Sequence, residues 1–495
     1  MAEYTSLSFT VQSAIVWGFA LCMLGTLVTT LPVAHLYWGY SPDKGYVEKR
    51  TPLDILFNPV GRALLLGSWS SACFWLLIDR HTVLASGVCL LWSRLSFLSL
   101  RWRSLSRGMG APGFMLYWLS ALVFFLEYTK FYDSTGQLRQ VVILVFKVDF
   151  ACIMLCAGQY KFFSGYPQNN GMERGLTHPW WGRFPRFYQR FSPSAPLFRL
   201  LNHSAYLVEL TCGILVLCSP CSETGALLLA LSFVFIMANI KLGFLCPTVI
   251  TCCLLFSQPR GWIDSILSWT NQSSVELPSS TLLAILNGAV GLVLLSYLLL
   301  LPFMKMGLYY NFYGKRNLPT KLQSFQNWWT IFWGISIWRV FTVDNTNFYI
   351  NIFKEDPLTK ERSLYSIPGE YSWDKRFRFE HVGEWICLTT LFCTRKYFPK
   401  NFQFFEQRLL RYARTIPHLP HQVLVFQWVD LHKDDHAFVH SPSTEFTVDT
   451  ATKKVLVTIL EGHHPQGKTP RFSNLVEGEQ LGSYAPLESS DDERD

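Results

Sequence analysis

Residues 141–166 read VVILVFKVDFACIMLCAGQYKFFSGY, and the reading of this stretch decides the fold. Residues 141–158 are apolar except for Lys147 and Asp149. A helix needs about 20 such residues to cross the hydrocarbon of a bilayer. Lys161 closes the run beside Tyr160, Phe162 and Phe163. Ionisable groups at such depth are costly in lipid, so they are functional candidates by default.

Working outward, the same apolar character recurs near residues 11–34, 62–79, 82–100, 112–130, 140–160, 200–219, 224–256 and 281–304. The expectation is an α-helical multi-pass membrane bundle of about eight spans. The run 224–256 is too long for one simple helix and carries Lys241, Gly243 and Pro247, so a break is expected there. Only 16% of the 495 residues are charged, against about 25% in soluble chains. The deficit lies before residue 305. The expected organisation is a transmembrane domain over 1–305, a juxtamembrane linker over 306–335, a small α+β extramembrane domain over 336–463 and an acidic, disordered tail over 464–495. Within the third part, residues 338–353 read as a strand pair turning at Asp344-Asn345. Residues 381–397 and 403–414 read as helices separated by Pro399, and 422–431, 445–449 and 454–460 as strands.

The net charge of +8 gathers in stretches such as Arg101, Arg103 and Arg107, or Lys315, Arg316 and Lys321, which suit topology and lipid headgroups. Membrane lipids are therefore the expected partners, with a hydrophobic small molecule as a further one. Nucleic acid is not expected, since no basic face with interleaved stacking residues is visible. The first apolar run lacks a basic leader and reads as a first span or signal anchor. Eleven of the 13 cysteines precede residue 260, mostly within apolar runs. Cys218-Ser-Pro-Cys221 flanks a turn and is a disulfide candidate if it faces an oxidising lumen. The histidine pairs His418/His421 and His463/His464 have no Cys or carboxylate at metal-ligand spacing. Asn271-Gln272-Ser273 is a glycosylation sequon.

Lys161 has two readings. A lysine at a span end can snorkel to the headgroups, whereas one desolvated among aromatic rings can serve as a base. Asp149 must pair across to another helix, be protonated or face a polar cavity. Glu209 is a second carboxylate of this kind. Lys147, Arg94 and Lys241 are the expected partners for these acids, and helix packing is as open as catalysis. Residues 162–199 interleave arginines with aromatics, as an interfacial or re-entrant segment does, or a lid over a membrane-facing pocket.

One family shows this order of residues. Lys147, Ala157-Gly158, Lys161, Gly165-Tyr166, Gly171-Met172-Glu173, His178-Pro-Trp180, then Glu209 with Gly213 and a later Gly243-Phe244, resemble the transmembrane core of the vitamin K-dependent gamma-carboxylase. Its wider relatives are the horizontally transferred transmembrane domain (HTTM) proteins. The resemblance covers about residues 140–256. It implies that Lys161 is the catalytic base, tuned by Glu209 or Asp149, and that Lys147, Tyr160, Tyr166, His178 and Trp180 line the substrate site. It further implies reduced vitamin K or another quinone as cofactor and, in a eukaryote, the endoplasmic reticulum membrane. The chain departs from the carboxylase in having no histidine between His81 and His178, Phe233 where relatives often carry histidine, and a much shorter length. The lipase maturation factors share the pattern without carboxylation, so two functions stay open. One is lysine-based proton abstraction from a quinone or lipid-like substrate, by a carboxylase-like lyase or ligase. The other is a non-enzymatic maturation, folding or lipid-binding factor. Transport is weaker, since no inverted repeat is visible.

Overall fold

Helix starts follow local chemistry. Helix α1 (Phe9–Thr30) begins where the Ser8 side chain accepts from the Val11 backbone N–H, and α2 (Pro59–Leu77) where Asn58 caps Gly61 and Pro59 opens the first turn. The computed structural model describes residues 5–31, 58–99, 114–259, 261–267, 280–313, 319–322, 324–325, 347–365, 382–397, 402–434 and 436–460. The bundle continues with α3 (Thr82–Ser99), α4 (Phe114–Tyr132) and α5 (Gln137–Phe163). Two short helices follow, α6 (Met172–Thr177) and α7 (Pro185–Tyr188), then α8 (Pro196–Leu215), α9 (Ser222–Asn239), α10 (Leu245–Cys253), α11 (Trp262–Leu267) and α12 (Thr281–Tyr313).

Among the described residues five helical segments are long and apolar enough to cross a membrane: Phe9–Thr30, Pro59–Leu77, Gln137–Phe163, Ser219–Asn239 and Thr281–Lys305. This corrects the expected count of eight. The stretches near 82–100, 112–130 and 200–219 do form helices, α3, α4 and α8, but they are not among the five. Thr82–Leu95, within α3, and Leu245–Phe256 are shorter apolar helices. Helix α8 carries an exposed Arg199 and the polar residues Asn202, His203 and Glu209, whose side chains bond Glu173, Tyr206 and Lys161.

Polar side chains tie the helices across one another, as expected where apolar contact alone gives no preference for a neighbour. Gln12 on α1 donates to the Glu127 carboxylate of α4 at 2.8 Å, and Arg139 of α5 donates to the Gln12 side-chain oxygen at 2.5 Å. The Ser93 and Ser120 hydroxyls join α3 to α4 at 3.0 Å. Large apolar side chains such as Leu21, Val28, Phe74, Leu91, Leu282 and Leu299 stay exposed on the outside.

The expected break in the 224–256 run falls between Asn239 and Leu245, with Gly243 at φ +59°. The backbone groups that a broken helix frees need partners. The segment 181–183 supplies them: Lys241 N–H donates to the Trp181 carbonyl at 2.7 Å and Arg183 N–H to the Asn239 carbonyl at 2.8 Å.

Residues 347–460 form an antiparallel sheet in the order β2-β1-β3-β4-β5, from β1 (Phe348–Glu355), β2 (Arg362–Leu364), β3 (Val423–Lys433), β4 (Phe438–Asp449) and β5 (Lys454–Ile459). Helices α13 (Val382–Tyr397) and α14 (Phe402–Ala413) lie between β2 and β3 in the chain. They place Phe392, Phe405 and Tyr412 against Phe426 and Phe446. The alternate side chains build a polar ladder, in which Arg362 bonds both Glu445 oxygens (2.9 and 3.0 Å) and Glu355 (2.6 Å). Of the strand pair expected in 338–353, residues 338–346 lie outside the described residues; β1 starts at Phe348 and pairs with β2 and β3. Its expected turn at Asp344-Asn345 lies outside the described residues, as do Asn271, Pro399, His463, His464, the tail 464–495 and most of the linker.

Candidate functional site

The site begins with two glycines. A side chain on Gly158 of α5 would meet the Leu210 side chain at 2.7 Å and the Tyr206 carbonyl at 2.9 Å. One on Gly213 of α8 would meet Leu155 at 2.7 Å. Small residues let helix backbones approach closely, and here they let α5 and α8 cross in contact. One turn beyond Gly158, Lys161 Nζ donates to Glu209 Oε1. Lys161 and Glu209 are 6% and 2% exposed. The second oxygen, Glu209 Oε2, is buried with no hydrogen-bond partner among the described residues. An orphaned carboxylate oxygen is costly in low dielectric, and Asp149 Oδ1 and Glu127 Oε2 share that state.

The partners expected for Glu209 were Lys147, Arg94 and Lys241; its partner is Lys161. Phe162 stands edge-on to Tyr206 at 5.4 Å, and both Phe162 and Phe163 are exposed. The pair therefore sits one residue inside an aromatic outer surface. Tyr160 is buried beside it in sequence, and Tyr166 is buried with its ring against Gly171.

The other candidates lie elsewhere. The Lys147 ammonium is fully buried, 5.8 Å from the Phe256 ring centroid. Asp149, expected to pair with Arg94 or Lys241, instead accepts on Oδ2 from Trp118 Nε1 at 2.9 Å and Tyr297 Oη at 2.6 Å, so it joins α4, α5 and α12. Twelve residues of helix separate Asp149 from Lys161, about 18 Å, and they do not form one site.

His178 and Trp180 belong to a docking surface. Residues 162–199, expected at a membrane interface or as a lid, bury Trp180, Trp181 and Tyr188 within the protein. The Trp180 ring stacks on Trp385 of α13, centroids 6.4 Å apart and 9° from parallel, and the Lys241 ammonium lies 5.0 Å from the Trp385 ring. His178 Nδ1 accepts from the Trp180 backbone N–H at 3.0 Å, while Nε2 faces the Phe348 carbonyl at 2.9 Å. A backbone N–H only donates and a carbonyl only accepts, so the ring is neutral with its proton on Nε2. Burial, foremost, holds its pKa down to about 3.

Sequence reasoning missed a buried acid in this surface. Glu173 is fully buried and accepts from Gly171 N–H, from Asn202 Nδ2 at 2.8 Å and from Lys433 Nζ at 2.8 Å. Lys433 also donates to the Asn169 carbonyl, and Arg174 Nη1 to the Leu431 carbonyl at 3.2 Å. Glu173 stood within the Gly-Met-Glu signature, but nothing near Lys433 in sequence points back 260 residues.

Compared with known proteins, the chain matches no family model, no curated protein and no solved structure.

Proposed function

We propose that this chain is a multi-pass membrane protein whose Lys161–Glu209 pair moves a proton on a hydrophobic substrate reached from the bilayer. The observation that carries this is the buried lysine–carboxylate contact with Glu209 Oε2 left open. A weakly acidic hydroxyl placed at Oε2 would supply the missing hydrogen bond, and Lys161 in its neutral amine form would offer the lone pair that takes the hydroxyl's proton. In a site shut off from water both steps gain electrostatic strength. The exposed Phe162 and Phe163 beside the pair fit lateral entry of an apolar ring or chain. A quinol or lipid-like molecule has this chemistry, and the gamma-carboxylase-like order of residues 140–256 supports the same reading. The reading implies an endoplasmic reticulum membrane as the setting in a eukaryotic cell. If the protein is an enzyme, Lys161 is its base and Glu209 the group that positions and tunes it.

The second reading is a non-enzymatic folding, maturation or lipid-binding factor. It is favoured by Asp149 and Glu173, which are held by protein groups and act as struts between segments. Native mass spectrometry of the purified full chain separates the two. The first reading expects a bound apolar molecule with an acidic hydroxyl, lost in Glu209→Gln. A chain that carries only bulk phospholipid, unchanged by the substitution, refutes it.

A further inference from the structure

Ten of the 13 cysteines are buried and Cys152 and Cys221 are partly so; Cys218 is the exposed one. Cys218 and Cys221 bracket the turn between α8 and α9. Residues Ser219–Cys221 form a 3₁₀ turn that runs directly into α9, so Cys218 stands at the mouth of one continuous helix, Ser219–Asn239. The Cys221 N–H donates to the Cys218 carbonyl at 2.9 Å and closes the turn. Such a four-residue turn holds its end Cα atoms within about 7 Å, the reach that a disulfide needs. Pro220 fixes the backbone inside the turn. Gln258 clamps it from outside, donating to the Ser219 carbonyl and to Ser222 Oγ.

The contrast within the molecule is Cys73 and Cys89. Their sulfurs are 3.8 Å apart on α2 and α3, but both are fully buried. They are close without being reachable. Cys218 and Cys221 combine a bridging turn with access from outside, as an exchangeable dithiol requires.

We propose that Cys218 and Cys221 form a reversible dithiol–disulfide site that exchanges with small-molecule thiols. Against glutathione disulfide, the Cys218 thiolate attacks one sulfur and breaks its S–S bond, and the first glutathione leaves as a thiolate. Cys221 then loses its proton and attacks the Cys218 sulfur of the mixed disulfide, releasing the second glutathione. Two thiols give up two electrons and two protons, and two molecules of reduced glutathione form. The closed form pins the turn that joins α8, the helix of Glu209, to α9.

The test uses the full chain in detergent micelles, equilibrated across ratios of reduced to oxidised glutathione, quenched, denatured and labelled with a maleimide. Under reducing buffer all 13 cysteines take label. As the buffer becomes oxidising, the labelled count should fall by two, with a Cys218–Cys221 cross-linked peptide that dithiothreitol reopens, while Cys73 and Cys89 stay labelled. In Cys221→Ser, glutathione should remain attached at Cys218. Two results would overturn the proposal: both thiols labelled at every ratio, or a stable glutathione adduct on Cys218 of the unaltered chain with Cys221 still free. The readout on the unaltered chain decides the matter even if the variant fails to fold.

Discussion

Lowering the pH from 7 to 5 should cost the folded protein about 2 kcal/mol through His178 alone. In the unfolded chain the ring takes up its proton near the ordinary value of 6.5, whereas in the folded chain burial holds it at about 3. The Phe348 carbonyl opposes that depression, and His440 and Lys241 reinforce it. A base depressed in this way folds uncharged. Its stabilising effect is whole above pH 6.5 and is lost as pH falls toward about 3. At about 1.4 kcal/mol for each tenfold step the full loss is roughly 5 kcal/mol, of which about 2 has gone by pH 5 and about 3 by pH 4. The ring is fully buried, so solvent screening takes little from these figures. The assay is thermal unfolding of the detergent-solubilised chain at pH 7, 5 and 4, alongside His178→Gln. The variant should start less stable, because the Trp180 N–H and the Phe348 carbonyl lose a shaped partner, but it should lose less on acidification. Equal pH dependence in the two proteins would refute the reasoning.

Lys433→Ala should destabilise the chain by up to about 3–5 kcal/mol, the cost of stranding a buried charge, moderated by the bonds Glu173 keeps to Gly171 and Asn202; limited proteolysis should then release 347–460 more readily. Gly158→Val forces α5 and α8 apart against backbone atoms that cannot yield and should cost about 1–3 kcal/mol in thermal unfolding, with Gly158→Ala milder. Tyr297→Phe removes a hydroxyl from the Asp149 carboxylate and should cost about 1–3 kcal/mol. A double-mutant cycle with Asp149→Asn should show coupling between them; strictly additive losses would contradict the shared bond.

The parts of the fold that depend on local pattern were legible in the sequence. The break in 224–256 follows from Gly243 and Pro247, and α13, α14 and β5 follow from periodicity. The start of β4 was missed because Pro442 reads as a strand breaker; it sits opposite Val429, beside the bulge at Trp428/Val429. The span count was overread because apolar runs alone do not separate a lipid-facing helix from α8, whose Asn202 and Glu209 bond Glu173 and Lys161 inside the protein. At the site, Lys161 and Glu209 were each visible as costly buried charges. Their pairing was not, since the two residues are 48 apart in the chain and meet only through the angle at which α5 and α8 cross, which depends on Gly158 and Gly213. Glu173 and Lys433 were harder still, joined only by tertiary docking.

The central claim is that Lys161 takes up a proton rather than merely bracing α5 against α8. Lys161→Arg separates these roles, because arginine keeps the charge and can still bond Glu209 but does not deprotonate in a protein. The measurement is the apolar metabolite profile of cells lacking this chain, complemented with the unaltered protein or with Lys161→Arg at equal membrane abundance. The account predicts that the unaltered chain restores the level of at least one acidic apolar species and that Lys161→Arg leaves the profile of the deficient cells. Full restoration by Lys161→Arg would contradict it.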